Sequence, residues 1–199
     1  MNILVIGDSC IDTYIYGDCD RLSPEGPVPI LNEISRHSTL GMAGNTYNNM
    51  KAFCPNVMFM SNDPEQITKT RFVDNRTNQL LLRMDTHDRC QRIQMSAASI
   101  DPDLDLIVVS DYCKGFLEEE DIQHICENNN NVFVDTKKKL GEWIKDADYI
   151  KINELEYKKN HELLSDKGFE EKLIVTLGSK GCRYKGKEFP VKEVPVKDV

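Results

Sequence analysis

The sequence predicts an α/β protein built on a parallel sheet, with a second, smaller β-sheet beside it. Three observations predict this class. Over the second half of the chain, short apolar, β-branched runs alternate with helix-length amphipathic stretches. The links between them are short, as βαβ units require. The earlier strand-like runs come in pairs that do not fit this alternation, so they form a sheet of their own laid over the parallel one.

The elements follow in order along the chain. Residues 2–6 form a buried strand ending in the turn Gly7-Asp8. Residues 13–16 and 28–34 read as strands around Ser23-Pro24-Glu25-Gly26-Pro27. Gly41-Met42-Ala43-Gly44-Asn45 opens a helix that runs to about residue 53, and residues 57–60 form a strand. Residues 67–73 and 79–84 make a hairpin around Asp74-Asn75-Arg76-Thr77-Asn78. Strands then fall at 106–109, 132–134, 149–152 and 173–177, with helices at 117–127, 142–145 and 153–164 and a final turn at Lys185-Gly186-Lys187. No internal repeat or low-complexity tract interrupts them.

Composition narrows the function classes. The chain has 199 residues, 40% hydrophobic and 29% charged, which suits one substantial domain. No apolar run approaches the ~20 residues of a membrane span. The start, Met1 to Gly7, lacks the long apolar stretch and small-residue cleavage site of a signal peptide, so the expected location is cytoplasmic. A net charge of −8 with no basic stripe speaks against nucleic acid as a partner. Seven cysteines, odd in number and without a C-x-x-C pair, fit reduced cytosolic thiols better than disulfides or zinc. His37, His87, His124 and His161 have no metal-ligand spacing either.

Ligands of open parallel sheets bind beyond the carboxyl ends of the strands. Five predicted strand ends carry polar clusters here. They are Gly7-Asp8 with Asp12 nearby, Ser110 to Gly115, Asp135-Thr136-Lys137, Asn153-Glu154-Leu155-Glu156, and Thr176-Leu177-Gly178-Ser179-Lys180-Gly181. Any one of them reads as a helix cap or turn. Five on one rim point to a polar ligand. The sequence has no P-loop, no G-x-G-x-x-G after the first strand and no G-x-S-x-G elbow.

These clusters occur in an ordered series that resembles the ribokinase-type (PfkB) carbohydrate kinases, and within them the heptose 7-phosphate kinases. The most discriminating pieces are Arg21-Leu22-Ser23-Pro24-Glu25-Gly26-Pro27-Val28-Pro29 and Ser110-Asp111-Tyr112-x-Lys114-Gly115. Gly41-x-Ala43-x-Asn45, Thr68-Lys69-Thr70-Arg71, Gln79 to Asp85, Val134-Asp135-x-Lys137, Asn153-x-x-Glu156 and Thr176-Leu177-Gly178-x-x-Gly181 complete it. The resemblance implies a three-layer α/β/α domain over residues 1–199, incomplete as it stands, with a β-sheet lid from about 13–36 and 66–85. It implies ATP and Mg²⁺ as cofactors and a sugar phosphate as partner, with the γ-phosphoryl passing to the anomeric hydroxyl of a heptose 7-phosphate. It also implies a homodimer through the lid.

Residue roles follow from the same resemblance. Asp12 and Asn45 would hold sugar hydroxyls, Asp12 because a carboxylate only accepts hydrogen bonds. Lys69 and Arg71, on alternate positions of one strand, would meet the substrate phosphate. Asn153, Glu154, Leu155 and Glu156 would position the nucleotide, with Glu156 holding hydrated Mg²⁺. Thr176, Gly178 and Lys114 would also serve the nucleotide. The structural alternatives are a turn Asp, helix caps and a solvated strand face. Two other functions remain open, a non-catalytic sugar-phosphate-binding module and a kinase for another sugar.

The sequence departs from the family pattern twice. Only 23 residues separate Asn45 from Lys69, where the resemblance implies about one more βα unit. Val196-Lys197-Asp198-Val199 matches the approach to the family's Thr-Gly-Ala-Gly-Asp motif, whose Asp is the catalytic base. None of the 199 residues is therefore assigned as the base, and Asp111 and Asp135 are the only strand-end substitutes.

Overall fold

The computed structural model describes residues 1–94, 100–101, 103–164 and 167–192. Strand β1 (Ile3–Gly7) leads into a long hairpin, β2 (Ser9–Leu22) and β3 (Pro29–Met42). Helix α1 (Ala43–Phe53), β4 (Val57–Met60), β5 (Thr68–Asp74) and β6 (Leu80–Thr86) follow. Then come β7 (Leu106–Asp111), α2 (Glu119–Asn128), β8 (Val132–Thr136), β9 (Tyr149–Asn153) and α3 (Glu154–Lys159). The described chain closes with α4 (His161–Leu164), α5 (Lys167–Glu170), β10 (Leu173–Thr176) and the hairpin β11 (Cys182–Tyr184) and β12 (Lys187–Phe189).

The central sheet has the order β12-β11-β10-β9-β8-β7-β1-β4, and the small sheet β3-β2-β5-β6. From β4 through β10 every neighbouring pair is parallel, which puts six carboxyl ends on one rim. Only the β11–β12 edge runs antiparallel.

Strand β1 is apolar on both faces because both are covered. Leu4 and Ile6 pack with Ile107, Val109, Val134 and Ile152 under α2, whose Ile122, Ile125 and Cys126 recur at helical spacing. Ile3 and Val5 face the opposite way, against Tyr47 and Met50 of α1. Helices on both faces make three layers. Each fully buried Ile or Val contributes about 1.5–3 kcal/mol, so this double-sided core fixes the sheet and, with it, the rim.

The observed elements differ from the expected ones in four places. The strands expected at 13–16 and 28–34 are parts of a 14-residue pair. Their outer ends carry Asp18, Asp20, Arg21 and Asn32 on a solvated sheet, so apolar alternation is lost although pairing continues. The helix expected over 153–164 breaks at Asn160. Its side chain donates to the Glu156 carbonyl and accepts from Leu140 N–H, competing with the helical ladder. The turn expected at Lys185-Gly186-Lys187 is present, but it joins two short strands, β11 and β12, that were not expected, and 142–145 holds a single 3₁₀ turn, Glu142–Ile144. The short interval after α1 contains only β4 and a 3₁₀ turn, Pro64–Gln66, before the chain enters the small sheet.

No helix among the described residues is long and apolar enough to cross a membrane. All seven cysteines are unpaired.

Candidate active site

Rim geometry begins at Asp8, directly after β1. Its carboxylate is fully buried and accepts three backbone N–H groups, from Tyr112 at 2.6 Å and from Lys114 and Phe116 at 3.1 Å each. The loop after β7 can wrap a carboxylate this way because Cys113 and Gly115 take positive φ, 58° and 99°. Burial raises the Asp8 pKa, and the charge of Asp111 raises it further. Asp111 is itself buried and saturated. It accepts from Thr136 Oγ1 and Cys113 N–H and lies 3.3 Å from Lys138 Nζ. Sequence reasoning treated Gly7-Asp8 as a turn and missed this anchoring role.

Asp12 sits near the base of β2, one-fifth exposed, with Arg71 Nη1 at 2.6 Å. Arg71 also lies over the Tyr14 ring, 5.1 Å from its centroid. Asp12 pairs with Thr39 across the hairpin, and its carboxylate leans over the diagonal neighbour Gly41, where a Cβ would meet Asp12 Oδ2 at 2.1 Å. That glycine opens the Gly-x-Ala-x-Asn turn, so one residue type both makes room for Asp12 and starts α1. Asn45 is exposed in the first turn of α1. Lys69 stands opposite Asp12 on β5, its Nζ 3.2 Å from Met42 Sδ at the helix start. The structure thus gathers Asp12, Lys69 and Arg71 where the small sheet joins the rim, with Asn45 in the first turn of the helix that follows β3.

The second cluster lies at the ends of β8 and β9, with β9 three strands from β1. At a strand spacing near 4.8 Å this is about 14 Å away. Asn153 caps α3 and forms a reciprocal box with Glu156, each side chain bonded at 2.8 Å to the other's backbone N–H. Lys137 Nζ reaches the other Glu156 oxygen at 2.8 Å, and Lys151 holds Asp135 at 2.8 Å. Burial pushes Glu156 up, but the Lys137 and Asn153 hydrogen bonds and the two lysine charges outweigh it and leave its pKa below the usual value. A depressed carboxylate stabilises the fold above its unfolded pKa. That contribution is lost as pH falls through the lowered value.

The remaining predicted residues are placed as follows. Glu154 and Leu155 are exposed in the first turn of α3. Thr176 Oγ1 donates to the Ile152 carbonyl, and Gly178 has a φ of 62° with open space where a Cβ would stand. Lys114 is paired with Asp88, just past β6, so it belongs to the small-sheet side; the lysine beside Glu156 is Lys137. Lys137 appeared in the sequence motif but was given no role, since its contact requires β8 and β9 to be neighbours. Val196 to Val199 lie outside the described residues. Among the described residues no three His, Cys, Asp or Glu side chains cluster as metal ligands. A hydrated hard cation needs fewer, and Glu156 is a carboxylate of the kind that binds one through water, with its two oxygens here bonded to Lys137 Nζ and the Asn153 N–H.

Comparison with known proteins fixes the class. No family model matches the chain. Ribokinase from Thermotoga maritima superposes with a TM-score of 0.62 at 18% identity, over 100% of this chain and 80% of that one. Arabidopsis thaliana ribokinase complexed with ribose and ATP gives 0.61 at 11%, with the same coverages. Phosphofructokinase-2 from Escherichia coli, in complex with fructose 6-phosphate, gives 0.57 at 12%, over 99% and 80%. The fold is therefore that of the ribokinase-like carbohydrate kinases.

In sequence the chain is similar to the bifunctional protein HldE of a Nitratiruptor species, 32% identical over 90% of this chain and 48% of that protein. The HldE of Desulfatibacillum aliphaticivorans is 28% identical over 66% and 34%. The chain spans half or less of these relatives' length. The first alignment runs over 225 positions, more than the 199 residues here, so that relative carries internal segments this chain lacks.

Proposed function

We propose that this chain is a sugar-kinase-like protein that binds a heptose 7-phosphate under the small sheet, acting as a lid, and ATP at the β9–β10 end of the rim. The observation that carries this reading is the separation of two unlike polar clusters on one rim. One is built around Asp12 and Asn45, the other around Asn153 and Glu156. In the reaction of the family it resembles, the sugar's anomeric oxygen would take the γ-phosphoryl group of ATP while its proton passes to the Asp of the Thr-Gly-Ala-Gly-Asp segment, and ADP would leave. Asp12 and Asn45 would orient the sugar. Asn153 and Glu156, with Thr176, Gly178 and the backbone of Glu154 and Leu155, would hold the nucleotide. Mg²⁺, held through water by Glu156, would neutralise phosphate charge. Lys114, beside Asp88, suits the sugar side better.

Replacing Asp12 with Ala should weaken heptose 7-phosphate binding at least about tenfold, since charge-assisted hydrogen bonds to a ligand are lost. ATP affinity should stay within about twofold. Calorimetric titration of both ligands tests this, and equal loss of both would sink the assignment.

We further propose that the chain works in the cytoplasm as a homodimer. Support for the dimer comes from the far face of the small sheet, where Leu82 and Met84 are about half exposed beside Thr70 and Phe72. A small sheet open on an apolar face commonly pairs with its copy. Sedimentation equilibrium should show a dimer that Leu82→Asp converts to monomer. A wild-type monomer at high concentration would contradict the lid contact.

A further inference from the structure

The sheet order leaves one strand end between the two clusters. Strand β7 lies between β1, which leads to the Asp12 cluster, and β8, which borders the Glu156 cluster. Its rim carries Asp111 and then Tyr112. The peptide joining these two residues is pinned from both sides. Its carbonyl accepts the Lys137 N–H at 3.0 Å, and its N–H donates to Asp8 at 2.6 Å. Lys137 is the lysine that holds Glu156. On the opposite side the Tyr112 ring packs against Cys10, Met42 and Ile67, where the small sheet joins the rim.

The polar neighbours of Tyr112 on this stretch of rim are already engaged. Asp8 and Asp111 are buried and bonded, and Lys114 is paired with Asp88. Tyr112 itself is half-buried, and among the described residues nothing accepts from its hydroxyl. Burial raises its phenol above the ordinary value, Asp135 adds to this, Lys137 opposes it, and Cys10 and Asp12 act from the other side. At neutral pH the group is therefore a hydrogen-bond donor. Direct phosphoryl transfer needs the reacting atoms within about 3–3.5 Å of each other. Strands β1 and β9 are about 14 Å apart. The terminal phosphate of a nucleotide anchored at Asn153 and Glu156 must therefore extend over the ends of β8 and β7 to meet a sugar at Asp12. That path brings it to Tyr112.

We propose that the Tyr112 hydroxyl donates a hydrogen bond to the terminal phosphate of a nucleoside triphosphate and so distinguishes it from the diphosphate. This deepens the sugar-kinase reading and rests on it for the seats of the two ligands. The phenol keeps its proton throughout. The bond from the γ-phosphorus to its ADP oxygen breaks, and the bond to the sugar oxygen forms. The sugar's proton passes to the Asp of the Thr-Gly-Ala-Gly-Asp segment. Tyr112 stays bonded to the phosphoryl group as it crosses, whereas ADP, one phosphate shorter, does not reach it.

The test titrates the chain calorimetrically, with Mg²⁺ present, against a non-hydrolysable ATP analogue, ADP and heptose 7-phosphate. Tyr112→Phe keeps the ring that packs on Met42 and removes only the hydroxyl. It should weaken the triphosphate analogue about 10- to 100-fold, the loss of one hydrogen bond to a charged group. ADP and heptose 7-phosphate should bind within about twofold of their wild-type affinities. Tyr112→His, which restores a donor, should recover part of the loss. In phosphorus NMR the analogue's γ-phosphate resonance should shift on binding wild type and shift less with Tyr112→Phe, while the α and β resonances behave alike in both. A merely structural tyrosine would not separate them. Unchanged triphosphate affinity in Tyr112→Phe, or equal losses for ADP and the triphosphate, overturns the contact and leaves the sugar-kinase reading standing. Wild type that binds neither nucleotide refutes that reading and the contact together. Circular dichroism of each variant separates these outcomes from misfolding.

Discussion

Given ATP, Mg²⁺ and heptose 7-phosphate, the 199 residues by themselves should release ADP no faster than a protein-free control. Extending them with a relative's Thr-Gly-Ala-Gly-Asp segment and its following helix should raise the rate by at least about 10²–10⁴, the usual contribution of a general base. Anion stabilisation at the helix start would add to this. The reason lies in how the two strand-end carboxylates are engaged. Asp111 is enclosed by Thr136, Lys138 and the Cys113 N–H, and Asp135 is held by Lys151. Neither stands beside Asp12, where the sugar would lie. A coupled ADP-release assay decides the matter. Turnover by the unextended chain that disappears on Asp111→Asn or Asp135→Asn would contradict the account and identify the base.

Asp8→Asn should lower stability by about 2–4 kcal/mol, through the donors it leaves unpaired. The carboxylate satisfies three N–H donors, two on one oxygen and one on the other. An amide keeps one acceptor and turns an NH₂ toward the remaining donor or donors. A buried unsatisfied group costs about 1–3 kcal/mol, and here at least two are created, one on the loop and one on the new side chain. Relief of repulsion with Asp111 offsets part of this. A fall in melting temperature of roughly 5–10 °C is expected for a chain of this size. Thermal unfolding measures it, and a variant as stable as wild type would mean that charge repulsion, not loop anchoring, dominates at Asp8.

Parallel strands were legible in the sequence because burial on both faces imposes continuous apolar runs, as in Ile3-Leu4-Val5-Ile6 and Leu106-Ile107-Val108-Val109. Their polar ends were legible for the same reason, since each run stops abruptly at the rim. What depends on strand order was not. Tyr112 becomes notable only once β7 is seated between β1 and β8. Lys137 meets Glu156 only because β8 and β9 are neighbours. The full reach of β2 and β3 was hidden because a solvated sheet end tolerates Asp18 and Asp20 as readily as a loop does. Asp8 looked like a turn residue because its three donors come from a loop about a hundred residues away.

The central claim is that one rim holds a sugar phosphate and a nucleotide in separate clusters. A structure of the chain with heptose 7-phosphate and a non-hydrolysable ATP analogue tests it most directly. The account predicts the sugar against Asp12 and Asn45, its phosphate toward Lys69 and Arg71, and the nucleotide phosphates ahead of α3 beside Asn153 and Glu156. Sugar bound at the β9–β10 end, or nucleotide under the small sheet, would contradict it.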